Sequence, residues 1–155
     1  MSDAIIHTPY DLGIGIDLGV QHEADTRGEC FAQWAGTSAV LIWELWGAPK
    51  PLIAIRFDGV LTLRVLDETW LSTETSSSRW RGIDGSFART VEGAEYPTDK
   101  TLMNEIAGPV THYQFVSMND CVDVLARDKP TAKLIDWNEL AEHRLEVSEH
   151  SWPSN

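Results

Sequence analysis

The residues of this chain best suited to proton transfer lie around His112. It stands next to Tyr113 in the β-rich run of residues 110–117, and an imidazole that titrates near neutral pH is a common general base. A small hydrolase-like site would combine His112 and Tyr113 with carboxylates from distant parts of the chain. The alternative is that His112 is a structural residue whose hydrogen bonds are satisfied. The sequence leaves both interpretations open.

The remaining candidate patterns do not match catalytic, cofactor or metal motifs. Gly13, Gly15 and Gly19 follow a G-x-G-x-x-x-G spacing, which differs from the dinucleotide-binding G-x-G-x-x-G. The five histidines and two cysteines show no zinc-ligand spacing. Asp67 and Glu68 are adjacent, so in a strand they point to opposite faces, and sharing one site would need a turn there. The alternative is that they are two solvated charges at the start of a loop. From motifs we therefore predict no catalytic residue, no metal and no cofactor.

A different signal comes from tryptophan and arginine. Trp80 lies between two arginines in a segment rich in Ser and Gly, and Trp and Arg dominate the energetics of protein interfaces. The alternative is that the Trp80 ring packs back onto the domain. A predicted C-terminal helix adds three glutamates on its exposed side. The predicted partner-binding residues are Arg79, Trp80, Arg81, Glu139, Glu142 and Glu146.

The charge of the chain limits its partners. Twenty-four acidic and twelve basic side chains give a formal net charge of −12, which argues against binding nucleic acid or an anionic membrane. The charge is compatible with a basic protein partner, because opposite charges steer association. The alternative is that the acidic charge only keeps the protein soluble. The N-terminus lacks the pattern of a signal peptide, and no apolar run reaches 18 residues. We therefore expect a cytoplasmic protein with an unknown oligomeric state.

The middle of the chain predicts antiparallel sheet. Residues 38–46, 52–57 and 60–66 are rich in β-forming residues. Between the last two runs, Asp58 and Gly59 are a residue pair that suits a type I′ turn. We expect a two-residue hairpin there, with Phe57 paired with Val60, as part of a three-stranded meander.

The other segments complete the predicted fold. Residues 87–91 predict a strand, 98–107 a short helix, and 110–117 with 121–126 a second hairpin. Asp136 is a suitable N-cap for a helix over 136–147. Residues 1–36 read as an acidic, loosely attached segment, with one possible strand over 11–19 and a polar loop over 22–29. The residues predicted to form the core are Trp43, Ile53, Ile55, Leu61, Leu63, Phe115 and Val124.

Together these segments predict a single α+β domain over residues 1–155, mostly antiparallel β. The expected architecture is a single sheet or partly closed barrel of five to seven strands, with a C-terminal helix. A barrel mouth lined by Trp43, Trp46 or Tyr113 would bind a small ligand, which is a further functional alternative.

Two segments resemble a known group of proteins. Residues 55–68 (IRFDGVLTLRVLDE) and 112–125 (HYQFVSMNDCVDVL) resemble small bacterial immunity proteins encoded beside secreted polymorphic toxins. The resemblance covers strand and turn residues, so it transfers no site residue. It implies a cytoplasmic protein that binds and blocks one toxin. A non-enzymatic immunity or inhibitor protein is therefore the function we expect first.

Overall fold

The computed structural model describes residues 5–14, 26–45, 51–67, 86–93, 100–117 and 120–145, without the side chains of 26–29 and 100–103. This part of the chain contains nine strands, one α-helix and one turn of 3-10 helix at Leu140–His143. The strands are β1 (Ile6–Pro9), β2 (Thr26–Ala35), β3 (Ser38–Leu45), β4 (Leu52–Phe57), β5 (Val60–Asp67), β6 (Ala88–Glu92), β7 (Thr111–Val116), β8 (Asp120–Ala126) and β9 (Thr131–Ile135). The helix α1 is Lys100–Ala107.

The strands form two antiparallel sheets. The five-stranded sheet has the order β1-β6-β7-β8-β5, and the four-stranded sheet has the order β2-β3-β4-β9. One hydrophobic cluster contains residues of both sheets, so the sheets pack face to face as a sandwich. The mostly antiparallel β prediction is confirmed. The prediction of a single sheet or partly closed barrel of five to seven strands is wrong, because the described residues form nine strands that divide into two sheets with open edges.

Aromatic rings fill the space between the sheets. Trp43 from the four-stranded sheet meets Phe87 edge to face, with ring centroids 5.1 Å apart, and Phe115 at 5.7 Å. Five of the seven predicted core residues are fully buried: Trp43, Ile53, Ile55, Phe115 and Val124. Leu61 and Leu63 are only partly buried, because β5 is the last strand of its sheet and has a neighbour on one side.

Asp58 and Gly59 form a corner between the sheets instead of a hairpin. Phe57 pairs with Ala39 in the four-stranded sheet, while Val60 pairs with Ala126 in the other. The predicted pairing of Phe57 with Val60, and with it the three-stranded meander, is therefore wrong. A type I′ turn needs positive φ at both central residues, and here only Gly59 has it, at +68°. The Gly59 carbonyl accepts a hydrogen bond from Arg127 N (3.0 Å), which ties together the β4–β5 and β8–β9 connections, both of which cross between the sheets.

The two-residue hairpin lies earlier in the chain, between β2 and β3. Ala35 pairs with Ser38 across Gly36 and Thr37. Gly36 has φ +61° and Thr37 has no positive φ, which is the pattern of a type II′ turn with glycine first.

The segment 22–29, predicted as a polar loop, enters β2 at Thr26. Residues 15–25 lie outside the described residues, and so does most of the predicted strand over 11–19.

The N-terminal part of the chain also contributes β1, which pairs with β6. The predicted strand over 87–91 and the hairpin of 110–117 with 121–126 are confirmed as β6 and the β7–β8 pair. The predicted helix over 98–107 is observed from Lys100. It ends at Ala107, and the next residue, Gly108, has φ +84° and donates its N–H to Asn104 O, a common helix stop.

The predicted C-terminal helix is wrong. Asp136 accepts hydrogen bonds from the backbone N–H groups of Asn138 and Glu139, as a helix cap does, but only one 3-10 turn follows, and Arg144 is extended. Leu140 and Leu145 both pack on the outer face of the four-stranded sheet. An α-helix would separate these side chains by about 140° around its axis. Packing both leucines on one flat face therefore disfavours the helix.

Candidate functional site

A row of polar side chains crosses the outer face of the five-stranded sheet. Alternate residues of β7 and β8 point into the core, so the residues between them point outward. The strand register aligns Arg89, Gln114, Asp123 and Arg64 side by side on neighbouring strands. We call these four residues the polar row. His112 lies on the same face, two residues before Gln114.

Asp123 is the hydrogen-bonding centre of this face. His112 Nε2 lies 2.7 Å from Asp123 Oδ1, and Gln114 Nε2 donates to the same oxygen at 3.3 Å. Arg89 Nη2 donates to the Ser86 carbonyl at 2.6 Å. His112 is 3% exposed and Asp123 0%, and both have further partners beyond this pair. A carboxylate that orients an imidazole in this way is the arrangement of a general base, but here solvent does not reach it.

His112 and Tyr113 do not share a site. They are neighbours in β7 and therefore point to opposite faces of the sheet. Tyr113 lies in the core, where its ring centroid is 5.3 Å from those of Tyr10 and Phe57. Burial raises the pKa of Tyr113, and the neighbouring Tyr10 raises it further. The partner of His112 is therefore Asp123 on the outer face, and not Tyr113.

A second candidate region lies on β2, an edge strand of the four-stranded sheet. Phe31 and Trp34 are 44% and 46% exposed. Phe31 pairs with Ile42 on the outer face, and Trp34 pairs with Ala39 on the core side. The guanidinium of Arg144 stacks over the Phe31 ring, 5.3 Å from its centroid. We call Phe31, Trp34 and Arg144 the β2 surface.

Gln33 holds the segment that carries Arg144 in place. Its side-chain amide donates to the Leu145 carbonyl and accepts from the Leu145 N–H, both at 2.8 Å. This pair of bonds fixes the end of the 136–145 segment against β2. The position of Arg144 over Phe31 therefore depends on Gln33, which directly precedes Trp34 in the same strand.

The structure describes two of the six predicted partner-binding residues. Arg79, Trp80, Arg81 and Glu146 lie outside the described residues. Glu139 accepts hydrogen bonds from Asp136 N (3.0 Å) and Lys133 Nζ (3.3 Å). The backbone N–H of Asp136, and then Lys133, lower the pKa of Glu139. Glu142 is exposed on the 3-10 turn. In the absence of the predicted helix, these two glutamates do not line one helical face.

The other candidate residues form no metal site in the described part of the chain, where no group of three His, Cys, Asp or Glu side chains converges. Asp67 ends β5, and Glu68 lies outside the described residues. Cys30 and Cys121 are free thiols. Burial raises the pKa of Cys30 above its usual range, and the nearby Asp120 raises it further. A protonated thiol of this kind is a poor nucleophile.

Sequence reasoning missed Asp123 and the β2 surface. The available signal for Asp123 was its position between two valines in a confident strand, which places one polar side chain on a face of its own. The signal for β2 was Gly36 before Thr37, since Gly-X is a type II′ hairpin sequence. Neither signal indicates which residues of the neighbouring strands pair with these positions, and each site depends on that pairing.

No protein-family model, curated protein or solved structure matches this chain. No helix in the described residues has the length and apolar character needed to cross a membrane. The resemblance to immunity proteins therefore depends on residues 55–68 and 112–125 alone, and the function has to be inferred from the two regions described above.

Proposed function

We propose that this protein is a non-enzymatic binding protein of the immunity or inhibitor type, which acts in the cytoplasm on a basic protein partner. The observation that carries the proposal is the β2 surface. Two large aromatic side chains are almost half exposed on one edge strand, and an arginine stacks on one of them. Exposed aromatic residues with a neighbouring arginine are typical of the centres of protein interfaces.

The geometry of β2 suits recognition of a protein. Phe31 and Trp34 lie on opposite faces of the strand, so a partner that contacts this edge meets an aromatic ring above it and another below it. Trp34 Nε1 donates to the Gly36 carbonyl at 3.0 Å, which leaves the ring fixed and its apolar surface available. Rigid aromatic side chains lose little conformational entropy on binding.

The charge of the chain supports a basic partner. A net charge of −12 attracts a cationic domain over about a Debye length, ~8 Å at physiological salt. Glu139 and Glu142, and the predicted Glu146, would act mainly on the association rate. The predicted anchor Trp80, with Arg79 and Arg81, would act with the β2 surface on the dissociation rate.

A small hydrolase-like enzyme is the second candidate, and the 2.7 Å contact between His112 and Asp123 favours it. Both side chains are buried, so a substrate would have to reach them through a rearrangement. Purified protein that turned over a substrate, and lost that turnover in His112→Ala, would support this candidate. The ligand-binding alternative has less support, because Trp43 and Tyr113 pack against aromatic rings in the core.

The binding proposal is tested with the double variant Phe31→Ala/Trp34→Ala. Immobilised wild-type protein is expected to retain one basic polypeptide from the native host in stoichiometric amount, and the double variant is expected to lose it. The matched control is Ile106→Ala, because Ile106 is 78% exposed on α1 and is not part of the β2 surface. Thermal unfolding of all variants checks that the fold is intact.

Binding kinetics with the purified partner then separate the two contributions. Replacing both rings should speed dissociation and cost about 2 kcal/mol or more of binding energy. Association should slow as salt is added, because steering by exposed charges is screened. Equal binding by the wild type and the double variant would contradict the assignment of the β2 surface, and an association rate independent of salt would contradict the electrostatic part.

A further inference from the structure

A cleft of about 250 Å³ opens between the 3-10 turn and the outer face of the four-stranded sheet. Val40 and Ala54 form its apolar floor. Arg56 and Lys133 line the side formed by the sheet, and Glu142 and His143 line the side formed by the turn. The cleft thus combines a small apolar surface with charged groups, as small-molecule sites do.

The strand register brings the two cations together. Arg56 pairs with Thr131, and Ala54 pairs with Lys133, so Arg56 and Lys133 are diagonal neighbours on one face. Diagonal neighbours of this kind lie about 7–8 Å apart at the backbone, within reach of long side chains. Two flexible cationic side chains at this distance can contact the same anionic group.

Both cations keep donors available for a ligand. Arg56 contacts Asp58 through Nε, 3.7 Å from Oδ1, and a guanidinium has four further N–H groups on its two Nη atoms. Lys133 donates one of its three N–H groups to Glu139. The carboxylates of Asp58 and Glu139 therefore orient the two cations without using all of their donors.

We propose that this cleft binds a small monocarboxylic acid, with its carboxylate between Arg56 and Lys133 and its apolar part on Val40 and Ala54. The volume corresponds to about eight water molecules at ~30 Å³ each, which suits a ligand of about eight to ten non-hydrogen atoms. Carboxylates form the strongest hydrogen bonds with guanidinium and ammonium groups. The carboxylate of Glu142 on the opposite side disfavours a second negative charge on the ligand.

This inference involves none of the residues of the β2 surface, although Glu139 and Glu142 also belong to the electrostatic part of the proposed function. Ligand binding in the cleft and partner binding at the β2 surface are therefore tested separately. The test is a titration of the ¹⁵N-labelled protein with benzoate and, separately, with benzamide, which has nearly the same shape without the charge. Benzoate is expected to give saturable shifts of the Ala54, Arg56 and Lys133 amide signals. Benzamide is expected to bind about ten- to twenty-five-fold more weakly, because it loses the charge contacts with both cations, each worth about three- to fivefold.

Variants of the two cations test whether the benzoate carboxylate binds between Arg56 and Lys133. Arg56→Gln and Lys133→Gln should each weaken benzoate binding by about three- to fivefold and leave benzamide binding unchanged. The matched control is Lys129→Gln, which removes one exposed positive charge from the β8–β9 connection, outside the cleft. Phe31→Ala/Trp34→Ala should bind benzoate as the wild type does.

Three outcomes would overturn the inference. The first is the absence of saturable shifts with benzoate. The second is equal affinity for benzoate and benzamide, which would leave only a non-specific apolar contact. The third is an equal loss of affinity in Lys129→Gln, which would indicate a general effect of charge. If a tripeptide ending in a free leucine carboxylate saturates the same signals and benzoate does not, the occupant is a polypeptide terminus, and the small-acid proposal fails.

Discussion

The outer faces of the two sheets are built from residues of opposite character. Both sheets bury their inner face in the shared core, so alternate residues of each strand have to occupy an outer face. On the four-stranded sheet the central group of these residues is apolar, and Leu140 and Leu145 pack onto it, while Arg56 and Lys133 lie beside it on the same face. On the five-stranded sheet the polar row and His112 occupy this position, and most of these side chains are also buried. The two faces are therefore stabilised by different forces.

This difference predicts how the stability of each face responds to side-chain substitutions. Apolar contact depends mainly on buried area and has little directional preference, so a replacement of similar volume is tolerated. Buried polar groups depend on the geometry of specific partners, and removing one partner leaves the others unsatisfied. Asp123 receives hydrogen bonds from both His112 and Gln114, so its loss affects several residues at once.

The largest expected effect is on the apolar face, where Leu52 is 2% exposed. Leu52→Ala should lower the free energy of unfolding by about 2–5 kcal/mol, because it removes buried methyl groups and leaves a cavity. Leu52→Met, which keeps the volume, should cost less than about 1.5 kcal/mol. Denaturant titration measures both. Equal losses in the two variants would show that this face is not held by packing.

Asp123→Ala should lower the free energy of unfolding by about 2–4 kcal/mol, because His112 and Gln114 lose their shared acceptor. The double variant His112→Ala/Asp123→Ala should cost less than the sum of the single variants, with a coupling of about 0.5–3 kcal/mol. Denaturant titration of the four proteins gives this cycle. Additive losses would contradict the idea that this face acts as a network.

Gln33→Ala should cost about 1–2 kcal/mol, because it removes both hydrogen bonds that hold Leu145. The effect should be local, with faster hydrogen exchange at the Leu145 amide. Gln33→Glu is the matched control, since it keeps an acceptor for Leu145 N and loses the donor to Leu145 O. Unchanged exchange at Leu145 in both variants would mean that the segment over the apolar face is held by its leucines alone.

The smallest expected effect is the pH dependence that comes from Glu139. Its pKa lies below the ordinary 4.5, first because of the Asp136 N–H and then because of Lys133. A lowered folded pKa gives stability that is present above the unfolded pKa and is lost as the pH falls through the folded pKa. The difference in melting temperature between wild type and Glu139→Gln should therefore persist at pH 7 and shrink below about pH 4. A difference that grows on acidification would contradict this.

Local sequence was sufficient to predict most of the strands and α1, and it was insufficient for how they pair. The β-rich runs on either side of Asp58 and Gly59 are both strands, but they pair with other strands in different sheets. A turn of this kind can connect two sheets as well as two strands of one sheet. Asp136 forms the predicted cap contacts, yet the helix is replaced by packing of Leu140 and Leu145 on the sheet. In both cases a contact with distant residues decides between two locally acceptable conformations.

The sequence by itself determined the six strands from β3 to β8, because β-branched and aromatic residues in short runs favour strands wherever they lie; it did not predict β1, β2 and β9. It also determined the acidic charge of the chain. Only the tertiary structure decided that Tyr113 enters the core while His112 meets Asp123, and that Arg56 and Lys133 border one cleft. These contacts join residues that are distant in sequence or lie on different strands, and they depend on register. A shift of one residue in register would turn each side chain to the other face.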